Sequence, residues 1–112
     1  MEDEVLFTID EDKIAWLTLN RPEVHNAFDD TTLQKLMGYL RTIYEDHSVR
    51  ALIVSGKGKS FCSGADLRWM ERASKFTEAE NVEDANLLSS VLYSFKTLPM
   101  PVITYVHGTV MG

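Results

Sequence analysis

A chain of 112 residues, 45% hydrophobic and 25% charged, has the composition of one ordinary globular domain with a modest core. Its formal charge of −6 argues against broad attraction to nucleic acid or an anionic membrane, so an anionic ligand would need a local basic patch. Cys62 is the only cysteine, which excludes an intrachain disulfide. The start MEDEVLF lacks the basic and apolar regions of a signal peptide, and no apolar run approaches the ~20 residues that span a bilayer; a cytoplasmic protein is expected.

Residues 5–9 (VLFTI) and 13–19 (KIAWLTL) are β-rich runs on either side of the charged turn Asp10–Asp12, and they predict a hairpin. Asn20-Arg21-Pro22 is a turn signal, because proline fixes its own φ and restrains the residue before it. From Thr31 to Asp46 the residues Leu33, Leu36, Met37, Leu40, Ile43 and Tyr44 step by three and four, the face of an amphipathic helix. Thr31 and Gln34 fit a capping box at its start, with Asp29 and Asp30 suited to the positive end of the dipole. Gly38 costs this helix about 1 kcal/mol relative to alanine.

Residues 50–55 (RALIVS) have the pattern of a strand buried on both faces. A further helix is predicted from Thr77, with Glu80 completing a capping box. It carries Val82, Ala85, Leu88, Val91, Leu92 and Phe95 at helical spacing and ends before Pro99. Pro101 then opens a last strand, PVITYV. Hairpin, helix, strand, helix, strand is the order of an α/β protein with a largely parallel sheet.

The loop SGKGKSF ends like a phosphate loop at Gly58-Lys59-Ser60, but the motif needs another glycine where Ile53 stands within a strand. Lys57 and Lys59 are better read as local positive charge for an anionic ligand. His25, His47 and His107 have no zinc-like spacing with one another or with Cys62, so no metal site is expected. His107 is read as a packing or hydrogen-bonding residue, and Cys62 as a small apolar filler.

The segment FCSGADLRWM (61–70) differs in kind. Cys62, Ser63, Gly64 and Ala65 carry little side-chain bulk, so a ligand can approach the backbone closely. Asp66 can cap a following helical turn and leave amide N–H groups pointing outwards. The residues alone leave two readings open: a tight turn into a short helix, or a backbone site for an anion.

Three segments together, LTLNRPEVHNAF (17–28), KSFCSGADLRWM (59–70) and PMPVITYVHGTVMG (99–112), resemble the enoyl-CoA hydratase/isomerase (crotonase) superfamily in order and spacing. The resemblance covers essentially the whole chain and implies the N-terminal part of a crotonase-like (ββα)n fold, residues 1–112 being one portion of a single domain. RPEVHNAFDD together with GADLRWM looks most like the methylglutaconyl-CoA hydratase branch.

In that family a CoA thioester carbonyl meets two backbone N–H groups that stabilise an enolate, and donors aimed at a developing oxyanion each contribute about 3–4 kcal/mol. The resemblance implies that Ala65 supplies the first donor within Ser63-Gly64-Ala65-Asp66-Leu67. It implies that Val24, His25 and Ala27 touch the CoA moiety, with Lys57, Lys59 or Arg68 toward its phosphates. Glu23 stands where the pattern often has a lysine. Gly112 matches the residue before the second donor, and the usual acid/base glutamates lie further on. Glu71, Glu78, Glu80 and Glu83 read as solvated helix charges.

The resemblance implies a lyase or isomerase acting on an unsaturated acyl-CoA, with no metal or redox cofactor, assembled as a homo-oligomer (trimers and hexamers in the family). The 112-residue chain by itself is expected to be inactive. The alternative is a non-catalytic acyl-CoA-binding or assembly fragment.

Overall fold

The computed structural model describes residues 3–75 and 77–110. The hairpin forms as its alternation predicts: β1 (Val5–Ile9) pairs antiparallel with β2 (Ile14–Leu19), with Val5 opposite Leu19 and Ile9 opposite Ala15. Asp10 organises the turn, its Oδ1 accepting from the N–H groups of Asp12 and Ile14 and its Oδ2 from the Trp16 indole.

Helix α1 (Asp30–Glu45) carries the chain across the sheet to β3 (Ala51–Gly56), which lies parallel to β2. Its cap is Asp29 rather than the predicted Thr31. The Asp29 carboxylate accepts from the Thr32 N–H at 2.9 Å, and Thr32 Oγ1 lies 3.0 Å from the same oxygen. A carboxylate at the N-cap also meets the positive end of the helix dipole, which favours this register over a Thr31–Gln34 box.

Leu33, Leu36, Leu40 and Ile43 of α1 are buried against the sheet face formed by Val5, Ala15, Leu17, Leu52 and Val54. The predicted Tyr44 is instead exposed. The strand expected to be buried on both faces alternates: Leu52 and Val54 are buried while Ile53 is only half-buried. Residues opposite one another in the ladder share a face, so Ile53 lies with Trp16 on the side away from α1.

A short helix, α2 (Leu67–Ala73), and a long one, α3 (Glu78–Lys96), lead to β4 (Val102–Thr104), which adds parallel to β3. The Thr77–Glu80 capping box forms as predicted. Along α3, however, Val91 is the buried residue, while Val82 and Leu92 are exposed. The spacing marks a face able to enter a core, but among the described residues only one part of that face meets α1. β4 is shorter than the predicted PVITYV, although the Tyr105 N–H still donates to the Val54 carbonyl. The sheet order is β1-β2-β3-β4. No helix among the described residues is long and apolar enough to cross a membrane.

Candidate active site

The site is built where the loop after β2 meets the loop after β3. Pro22 opens a single 3-10 turn, Pro22–Val24, and the chain reverses through His25 and Asn26, both left-handed at φ 53° and 57°. Asparagine tolerates this conformation better than most residues, and here it also ties the loop after β2 to the loop after β3. Asn26, 2% exposed, accepts the Arg21 N–H on Oδ1. Its Nδ2 donates to the carbonyls of Lys57 and Ser60, all three bonds being 2.8 Å long. Gly56 makes room for this: a Cβ there would lie 2.9 Å from Asn26 Nδ2 and 2.7 Å from the Phe61 carbonyl oxygen.

The second wall is the segment 61–66. Phe61 and Cys62 donate to the carbonyls of His107 and Thr109, which docks this segment against the stretch that follows β4. His107 Nε2 lies 2.7 Å from the Gly58 carbonyl, in keeping with a hydrogen-bonding role. Ser63 N–H donates to the His25 carbonyl, and Gly64 (φ 93°) turns the chain.

Phe28 then pairs on either side of Ala65: its N–H donates to the Gly64 carbonyl at 2.9 Å, and its carbonyl accepts the Asp66 N–H at 2.7 Å. In a parallel ladder this skips the residue between and turns that residue's N–H away from Phe28. The Ala65 N–H accordingly donates to no acceptor among the described residues.

A cavity of about 430 Å³ opens there, lined by Val24, His25, Ala27, Ser63, Ala65, Asp66, Leu67 and Arg68. Of the predicted residues 63–67, Gly64 does not line it, being the buried turn behind Ala65. Arg68 also borders a more polar cleft of about 540 Å³ shared with Arg21, Arg72 and Lys75, whereas Lys57 and Lys59 lie on the exposed turn and line neither. Glu71, Glu78, Glu80 and Glu83 are exposed, and Gly112 lies outside the described residues.

Asp66 is the N-cap of α2, accepting on Oδ1 from the N–H groups of Arg68 (2.8 Å) and Trp69 (3.2 Å). Its Oδ2 accepts from Arg21 Nη2 at 3.0 Å. Arg21, whose role the sequence did not disclose, donates through Nη1 to the Ala27 carbonyl and lies 3.7 Å from Asp29. One guanidinium thus sits between the cap carboxylates of α1 and α2.

Burial of Asp66 works to raise its carboxyl. The hydrogen bonds from Trp69, Arg68 and Arg21 outweigh it and hold the group below the usual carboxylate range. A carboxyl depressed in the folded state stabilises the fold above its unfolded value of about 3.9, and that share is lost as pH falls through the folded value. Asp66→Asn keeps a capping oxygen but not the charge. The stability gap between wild type and variant should therefore be full at about pH 6 and shrink at about pH 3, measured by urea unfolding. A gap that does not change with pH would refute this. Asp10 and Asp46, also held low by hydrogen bonds from Trp16 and Ser48 respectively, are common to both proteins and cancel in the difference.

A sequence profile described as enoyl-CoA hydratase/isomerase matches residues 10–112. The chain belongs to this family. The relatives it resembles include a trans-2-decenoyl-[acyl-carrier-protein] isomerase of Streptococcus mutans, 34% identical over 97% of this chain and 41% of the relative. A crotonyl-CoA hydratase of Syntrophomonas wolfei is 34% identical over 91% of this chain and 38% of the relative. Among solved structures, an enoyl-CoA hydratase of Mycobacterium smegmatis superposes with a TM-score of 0.88 at 36% identity, covering 96% of this chain and 41% of that one. The α/β arrangement is therefore a crotonase fold, and the chain spans about two fifths of the length of the curated relatives it matches. The enoyl-CoA hydratase/isomerase members matched include both hydratases and an isomerase, so membership does not separate the two reactions.

Proposed function

We propose that this chain is the acyl-CoA-binding region of an enoyl-CoA hydratase/isomerase, in which the Ala65 N–H donates to the thioester carbonyl oxygen. The observation that carries this reading is the Ala65 N–H itself, unpaired among the described residues beside a 430 Å³ cavity. Hydration of an enoyl thioester places a hydroxyl on Cβ and a proton on Cα, and negative charge collects on the carbonyl oxygen between these steps. A fixed N–H aimed at that oxygen favours the charged state over the neutral ground state. Isomerisation moves a proton through the same enolate. Neither reaction changes the oxidation level overall, so neither calls for a redox cofactor.

Val24, His25 and Ala27 form the wall along which the carrier lies, and Leu67, 80% exposed at the cavity edge, offers an apolar surface to the acyl chain. Within the family we place the protein in the branch that resembles methylglutaconyl-CoA hydratases. The paired segments RPEVHNAFDD and GADLRWM support this.

Deprotonation or delivery of water needs a free base; the Asp66 carboxylate lining this cavity is already engaged by three donors, and the His25 imidazole that also lines it is tied through Nδ1 to Ser60 at 3.1 Å. The 112-residue chain is therefore expected to bind crotonyl-CoA without consuming it, as followed by equilibrium binding and by loss of the conjugated enoyl absorbance. Binding that is undetectable would sink the acyl-CoA reading. Hydration at an ordinary enzymatic rate of about 10 s⁻¹ would show instead that the chain holds its own acid and base.

A further inference from the structure

An amide placed to receive an oxyanion is poorly served by a carboxylate beside it, yet Asp66 directly follows Ala65 in the chain. Asp66 is 5% exposed, and its lowered carboxyl is held ionised, so little solvent screens it. The same residue cannot simply be dispensed with, because it caps α2 through the N–H groups of Arg68 and Trp69. The structure answers with Arg21, whose own side chain is only 13% exposed.

We infer that Arg21 is a positioning residue for the Ala65 donor: its guanidinium offsets the Asp66 charge and fixes the Ala65 loop against the Val24–Ala27 wall. The inference rests on the oxyanion reading above and adds a residue that acts through Asp66 and Ala27 rather than by touching substrate. Three contacts carry it. Nη2 meets Asp66 Oδ2 at 3.0 Å on one wall of the cavity, and Nη1 meets the Ala27 carbonyl on the other. The third, Asp29 at 3.7 Å, anchors the guanidinium to the start of α1. Arg21's own N–H is meanwhile held by Asn26, so backbone and side chain are both fixed. A planar fork reaching two walls at once is a task for arginine and not for lysine.

The test uses crotonyl-CoA labelled with 13C at the thioester carbonyl, reading its dissociation constant and the carbonyl stretching frequency of the bound ester. In the unsubstituted chain the stretch should fall on binding, as a donated hydrogen bond weakens the carbonyl bond. Arg21→Gln leaves Asp66 uncompensated, and should lose most of that fall and weaken binding about tenfold. Adding Asp66→Asn removes the opposing charge but does not restore the bridge, so the double variant should recover about threefold of the lost affinity and part of the lost fall in frequency. A merely structural ion pair predicts no such recovery in the carbonyl frequency.

If Arg21→Gln keeps both values, or if the double variant is no better than the single, the role assigned to Arg21 is wrong. Should Arg21→Gln fail to fold, Arg21→Lys decides: it keeps the positive charge but cannot span Asp66 and the Ala27 carbonyl together, so the fall in carbonyl frequency should shrink and binding weaken severalfold, and an unchanged fall with unchanged affinity would overturn the inference. If the carbonyl stretch of the unsubstituted complex does not fall at all, the oxyanion reading goes first and Arg21's role with it. That result is distinct from a normal fall that survives Arg21→Gln.

Discussion

Ala65→Pro is expected to lower kcat for an enoyl thioester by about 10²–10³-fold, in whichever form of the protein turns over, because it deletes a single oxyanion donor. The substitution isolates that donor well. The N–H it removes pairs with nothing among the described residues, and the ladder bonds on either side belong to Gly64, Phe28 and Asp66. Loss of rate should therefore come with little loss of folding, and the far-ultraviolet spectrum and urea midpoint of the variant are the controls. A donor used only as charge develops leaves KM nearly unchanged while kcat falls, whereas one used equally in the ground state raises KM. Unchanged kcat in a folded variant would remove Ala65 from the reaction.

Asn26→Ala should cost the fold about 3–4 kcal/mol, a large part of a domain's stability, without removing any group proposed to touch substrate. Two acceptors, the carbonyls of Lys57 and Ser60, lose their donor, and the Arg21 N–H loses its acceptor. Alanine must also hold φ near 57°, which disfavours any side chain beyond Cα. Asn26→Gly separates these contributions: it relieves the conformational strain but not the lost bonds, and should recover about 1 kcal/mol of the deficit. Urea midpoints at constant slope measure both variants. A change under about 1 kcal/mol for Asn26→Ala would mean that the two loops are held by something other than this side chain.

Both expectations concern residues that are close in space and far apart in sequence, and this divides what was legible from what was not. The alternation of Ala15 and Leu17 in β2 and the three-and-four stepping of Leu33, Leu36, Leu40 and Ile43 in α1 are local patterns, so strand and helix could be read directly. The Thr77–Glu80 box is local too, and its helix begins where those residues place it. The cap of α1 was misplaced because Asp29, Asp30 and Thr31 all suit a helix start. The choice fell to Asp29, which faces both Thr32 and the Arg21 guanidinium. The inward face of α3 was overstated for a related reason, since periodicity says which residues share a side and nothing about what lies against it.

In the site, the small residues 62–65 and the left-handed turn at His25-Asn26 leave a local signature. A loop without bulk invites close approach, and an asparagine shortly after a proline turn is a candidate for positive φ. Nothing local marks Arg21 beyond its place in the Asn20-Arg21-Pro22 turn. Its partners come from three separate places: its own loop, the start of α1 and the start of α2.

The sequence by itself determined the hairpin, the two long helices and the strands that follow them, the absence of a cysteine pair, and a loop thin enough to offer its backbone to a ligand, because each depends on neighbours along the chain. Which amide in that loop is left unpaired, and which cation answers the carboxylate beside it, was decided only by the tertiary structure. Phe28 must cross to 64 and 66 before Ala65 is skipped, and Arg21 must lie between two helix starts before it can serve both. Hydrogen bonds and charge pairs act over a few ångströms in space, and the fold alone brings these distant residues within that range.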